Sequence, residues 1–163
     1  PGSRFTGYGI ISVDGNIISH LDHGTIKTSN KDFSARLFHI YNELNHIITK
    51  HQPNQAAIET VFFAKNAQSA LKLGQARGAA ITAIASKALP LHEYSPKQIK
   101  QSITGTGAAD KQQVQQMVKM LLKLNDIPQS DAADALACAV CHCHHHTVLA
   151  RIKNATTTAG NGA

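Results

Sequence analysis

The sequence predicts an α/β fold in which helices pack around a mixed sheet. Three features point there: an opening run of alternating strands around Asp14-Gly15, a later succession of helices with two short apolar strands, and a final alanine-rich helix. The 163 residues suit one domain large enough to bury a core without disulfide staples.

Residues 8–13 read as a strand, Asp14-Gly15 supplies a tight turn, and residues 16–20 return. A further strand at 24–28 completes an antiparallel meander. Phe33, Leu37, Ile40, Tyr41, Leu44, Ile47 and Ile48 recur at helical spacing, and Pro53 stops that helix. Residues 55–61 are short and mostly apolar with one charged residue, Glu59, as in a buried parallel strand carrying a carboxylate near its C-terminal end. Residues 66–87 form a helix rich in Ala and Gly, and residues 91–94 form another short strand. Ser95-Pro96 opens a helix, with Pro in its favoured first turn, and Gly105-Thr106-Gly107 breaks it. Val114, Met117, Val118, Leu121 and Leu122 make an amphipathic stripe. The last helix starts near Pro128 or Ser130, and its pattern fades after His146. The expected domain therefore spans residues 1–147, with a flexible tail over 148–163. No internal repeat is visible.

Composition narrows the function classes. No apolar run approaches the roughly 18 residues needed to span a membrane, and no signal-peptide pattern opens the chain. Cys138, Cys141 and Cys143 are odd in number and clustered, a poor disulfide framework, so a cytoplasmic location is expected. A zinc site built on them lacks a second ligand pair. The net charge of +6 suits a polyanion, although many basic globular proteins bind nothing charged. The lysines concentrate at Lys97, Lys100, Lys111, Lys119 and Lys123, against one acid, Asp110. Lys65, Lys72 and Arg77 form a smaller group after Glu59.

The acids carry the sharper signal. Asp131 and Asp134 are three apart on a helix and so share a face. Their neighbours Ala132, Ala133, Ala135, Leu136 and Ala137 are small or apolar, and ionised groups in such surroundings are costly unless compensated. A divalent cation with oxygen ligands would compensate both aspartates and Glu59 together. The alternative is a pair of first-turn aspartates favoured by the helix dipole.

Several blocks carry a family resemblance. Glu59-Thr-Val-Phe62-Phe63-Ala-Lys-Asn-Ala-Gln-Ser-Ala-Leu-Lys-Leu-Gly74-Gln-Ala-Arg-Gly78 resembles the signature of the RuvC family of bacterial Holliday-junction resolvases. The opening Pro1-Gly-Ser-Arg, Tyr94-Ser-Pro-Lys-Gln-Ile-Lys100-Gln, the Lys111 block, Asp131-Ala-Ala-Asp134-Ala-Leu-Ala and His142-Cys-His144 follow in consistent order. The resemblance implies an RNase H-like fold with a five-stranded mixed sheet flanked by helices. It further implies a homodimer that nicks four-way DNA junctions in symmetric pairs, in recombination and repair, alongside the RuvAB branch-migration complex. Glu59, Asp131 and Asp134 become catalytic ligands of Mg²⁺, replaceable by Mn²⁺, with two ions per site. Such ions activate water and stabilise the departing 3′-oxygen. Asp134 stands where some relatives have His.

The resemblance also assigns DNA contacts. Phe62 matches a stacking aromatic with Phe63 beside it, or else both cap the core. Lys100 and Lys111 hold phosphate, or else are solvated surface lysines. Gly74 and Gly78 leave one helix face without bulk, for a dimer interface or for packing on the chain's own sheet. Gly105-Thr106-Gly107 is a weak candidate phosphate cradle. The family's first carboxylate, an Asp on the central strand, precedes the Pro-Gly at which this sequence opens. The expectation is therefore an N-terminally truncated chain, lacking its first and central strand, that binds junctions better than it cuts them. A junction-binding module without catalysis, and an RNase H-like nuclease acting on hybrids or linear duplex, are the competing readings.

Overall fold

A computed structural model describes residues 2–28, 32–60 and 67–159, with side chains through residue 146. The chain opens with a long hairpin, β1 (Phe5–Asp14) and β2 (Ile17–Lys27). Its two-residue turn is Gly15-Asn16, and Gly15 adopts φ +57°, the sign that tight hairpin turns demand. The expected third meander strand is not separate: Ile17–Lys27 forms one strand, interrupted only by a bulge. Ile10 pairs with Asp22 and Ile11 with His20, leaving Leu21 unpaired. The extra residue bends the strand without ending it, which explains why it reads as two.

Helix α1 (Phe33–His51) starts at Asp32, whose carboxylate accepts the Ala35 amide at 2.7 Å. It ends where Gln52 turns left-handed, at φ 47°, just before Pro53. Then come β3 (Ala56–Glu59), α2 (Ala67–Ala85), β4 (Leu91–Tyr94), α3 (Pro96–Thr104), α4 (Lys111–Leu121) and α5 (Ser130–Ala159). Ser95 and Asp110 close reciprocal capping boxes with Gln98 and Gln113 at the starts of α3 and α4. Helix α5 continues as helix to Ala159. No Gly or Pro interrupts the chain between Ser130 and Gly160, and Ala, Leu, Arg and Lys within the stretch favour helix.

The strands pair as β1–β2, antiparallel, and β3–β4, parallel, with Glu59 opposite Tyr94. Among the described residues this makes two separate two-stranded sheets, where the expectation was the family's five-stranded sheet without its first, central strand. A cavity of about 870 Å³ lies between them, lined by β1, by β3 and by apolar side chains of α1 and α2. Helix α5 packs against both sheets and joins them.

That helix packs closely because its inner face is small. Ala132, Ala133, Leu136, Ala137, Val140 and Cys141 are all buried. β1 answers with glycines. A Cβ on Gly9 would lie 2.7 Å from Leu136 Cδ2, and one on Gly7 would overlap the Asp131 carbonyl oxygen. On its other side α5 shares a core with Tyr94, Ile99, Ile103, Val114 and Val118.

Candidate active site

Glu59 ends β3, and Asp131 and Asp134 occupy the first turns of α5. All three line the cavity between the sheets. Glu59 and Asp131 are half-buried, whereas Asp134 opens to the cavity and is exposed. The sequence suggested carboxylates enclosed by an apolar helix. Instead the apolar residues of α5 face the core and both aspartates face the cavity.

Electrostatics couple the group. Burial first, and the Asp134 charge second, push the Glu59 carboxyl above its usual range, while Lys111 and Lys100 pull it down. Burial also raises Asp134, Lys111 opposes that shift, and the neighbouring Asp131 charge adds to it. Because Asp134 keeps an open face, solvent weakens the part owed to burial. Two lysines from α3 and α4 thus act on carboxylates held by β3 and α5.

The donor set fits a hard divalent cation: carboxylate oxygens from two elements, mutually repulsive and partly desolvated. The fit is one of chemistry rather than finished geometry. Among the described residues, no three His, Cys, Asp or Glu side chains close into a group able to hold a metal ion. Burial pushes the Cys138 thiol up to about 12, which leaves it a neutral core group at physiological pH.

The remaining candidates are placed as follows. Lys100 is half-buried on α3, and Lys111 is exposed at the start of α4. Gly74 and Gly78 lie exposed on α2 with open space where a Cβ would stand, so they do not pack on the chain's own sheet. Leu71, one turn before Gly74, is 63% exposed. Phe62 and Phe63 lie outside the described residues. In the turn at Gly105 the amides of Thr106 and Ala108 already bond to the hydroxyls of Thr104 and Thr106, at 3.4 and 3.3 Å. Those amides are therefore engaged within the turn, against the weak reading of a phosphate cradle.

One positioning group escaped the sequence reading. Arg77 on α2 donates Nε–H to the Glu59 main-chain carbonyl at 3.3 Å, and its guanidinium pairs with Glu93 on β4 at 2.5 Å. It ties the end of the carboxylate-bearing strand to its neighbours. The only available signal was a basic residue in the helix after Glu59, which pointed to DNA rather than to the backbone.

Comparison with known proteins adds an independent finding. Residues 1–142 match the family described as crossover junction endodeoxyribonuclease RuvC. A RuvC of Citrifermentans bemidjiense is 57% identical over 155 residues, covering 94% of each chain. One of Vibrio campbellii is 52% identical over 162 residues, covering 99% of this chain and 94% of its own. A Thermus thermophilus RuvC solved with a Holliday-junction substrate superposes with a TM-score of 0.85 at 32% identity, covering 91% of this chain and 92% of that one. A second T. thermophilus RuvC structure gives 0.82 at 31% identity. The comparisons lend no support to the expected truncation or to the inactivity attached to it.

Proposed function

Because the chain belongs to the RuvC family of crossover junction endodeoxyribonucleases, we propose that it cuts four-way DNA junctions by metal-dependent phosphodiester hydrolysis. The observation that carries this reading is the electrostatic meeting of Glu59 on β3 with Asp134 on α5 across one cavity. Residues that repel each other this way invite a counter-cation.

Glu59, Asp131 and Asp134 hold the divalent ions, Mg²⁺ with Mn²⁺ as substitute and two per site. Bound there, such ions activate water and neutralise charge building on the scissile phosphate. Lys100 and Lys111 hold the phosphate backbone beside the carboxylates, supported by their influence on Glu59 and Asp134. Phe62 and Phe63 stack on bases of the opened junction. The exposed face of α2 around Leu71, Gly74 and Gly78 forms the homodimer contact, and a two-fold dimer matches symmetric cuts in opposed strands. Work alongside the RuvAB branch-migration complex completes the proposal. An RNase H-like arrangement is part of the proposal, supported by membership of the RuvC family.

The test is cleavage of a synthetic four-way junction and a linear duplex of the same sequence, each with Mg²⁺. Paired symmetric nicks confined to the junction support the proposal. Equal cutting of both substrates, or binding without any cutting, overturns it.

A further inference from the structure

We propose that His142 is a positioning residue that clamps helix α5 to strands β3 and β4 and so fixes the distance between Glu59 and the two aspartates. The inference rests on the metal-nuclease reading of those carboxylates. Its geometry is a three-element hydrogen-bond chain. Tyr94 at the end of β4 lies 2.9 Å through its hydroxyl from His142 Nδ1. Gln55, next to β3 and four residues before Glu59, presents Oε1 2.6 Å from His142 Nε2.

Only one neutral tautomer satisfies both contacts. The Gln55 oxygen can only accept, so Nε2 carries the hydrogen and donates it, and bare Nδ1 accepts from the Tyr94 hydroxyl. Surrounding groups favour that neutral ring. His92 stacks on it at 4.4 Å between centroids, and His146 lies 5.9 Å away. Burial first, then the charges of His92, His146 and His145, lower His142 to about 4. Tyr94, whose ring also lies 5.2 Å from His145, is itself raised by burial and by Cys141 and Cys138.

The consequence for the site follows from register. Tyr94 is the direct partner of Glu59 across the parallel pair, and Thr60 N–H donates to the Tyr94 carbonyl at 2.8 Å. A ring bonded to Tyr94 and Gln55 therefore holds both strands against the helix that carries Asp131 and Asp134. Released, α5 can shift relative to β3, and shifts near 1 Å between catalytic groups cost on the order of 100-fold in rate.

The experiment compares the full chain with Gln55→Leu, Gln55→Glu and Tyr94→Phe. Gln55→Leu removes the acceptor, Gln55→Glu keeps one, and Tyr94→Phe removes only the hydroxyl. Mn²⁺ binding is measured by calorimetry without DNA, and kcat and KM are measured on a four-way junction with Mg²⁺. The clamp predicts that Gln55→Leu and Tyr94→Phe weaken Mn²⁺ affinity and lower kcat by about tenfold each, with junction KM little changed and Gln55→Glu close to the parent. A fall in melting temperature with Mn²⁺ affinity and kcat unchanged overturns it. Ring ¹⁵N shifts of the unmutated protein give a check independent of how the variants fold: protonated Nε2 with bare Nδ1 at pH 7 is required, and the opposite tautomer or a charged ring refutes the clamp. A parent chain that neither binds Mn²⁺ nor cuts junctions defeats the proposed function. An active parent with insensitive variants defeats the clamp alone.

Discussion

Replacing Gly9 by Ala tests whether β1 presses on the helix that carries the aspartates. The added Cβ would meet Leu136 Cδ2 at 2.7 Å, Cγ at 2.8 Å and the backbone N at 2.9 Å. Leu136 is fully buried and cannot swing away. Overpacking of this kind costs about 1–3 kcal/mol, against a gain of up to about 1 kcal/mol for replacing Gly within a strand. Leu136→Ala alone should cost about 3–5 kcal/mol, from lost burial and the cavity left behind. Combined, the substitutions should be less damaging than their sum, because truncation removes two of the three clashing atoms. The expected coupling is about 1 kcal/mol, partial because the backbone nitrogen remains. Gly7→Ala is the control: its clash is with the Asp131 carbonyl oxygen, which no side-chain truncation relieves. Urea unfolding of the single and double variants measures the cycle. Additive effects for Gly9 and Leu136, or equal rescue of Gly7→Ala, would refute the packing described.

Further expectations address charge. Lys100→Ala combined with Lys111→Ala should weaken junction binding and flatten its salt dependence by about one to two units of slope, read from binding titrations across salt concentration. Raised folded-state values mean that Glu59 and Asp134 hold protons more tightly in the native than in the unfolded chain, so stability is lost as pH rises through that range. Glu59→Gln should accordingly raise the metal-free melting temperature at pH 8, a gain that vanishes at pH 4; a loss at pH 8 contradicts the repulsion. His142 runs the other way. Its folded value near 4 lies below the unfolded 6.5, so the unfolded chain takes the proton first and acidification through that window destabilises the fold. With solvent screening of a half-buried ring the effect is about 1–2 kcal/mol, and His142→Asn should flatten melting temperature between pH 7 and 5.

Local chemistry made much of the fold legible. Ser95-Pro96 announces a helix start, Pro53 an end, and Gly15 the hairpin turn, whereas the caps at Asp32 and Asp110 went unread. Residues that act through distant partners were not legible. The bulge at Leu21 mimics a strand break, since one unpaired residue disturbs the alternation as a turn does. Asp131 and Asp134 share a helix face by spacing alone, but their approach to Glu59 depends on β1 glycines contacting α5 more than 120 residues away. In the sequence Arg77 is one of a small basic group after Glu59, and His142 one residue of a block that carries the resemblance. Their partners, Glu59, Glu93, Tyr94 and Gln55, are known only once the chain is folded.

The carboxylate cluster is tested most directly by Glu59→Gln on a four-way junction with saturating Mg²⁺. The substitution keeps the shape of the side chain and removes its charge. The account predicts that single-turnover cleavage falls by about 1000-fold or more while junction affinity stays within about threefold of the parent. Cleavage that persists at the parent rate would contradict the assignment of Glu59 to the metal-holding site.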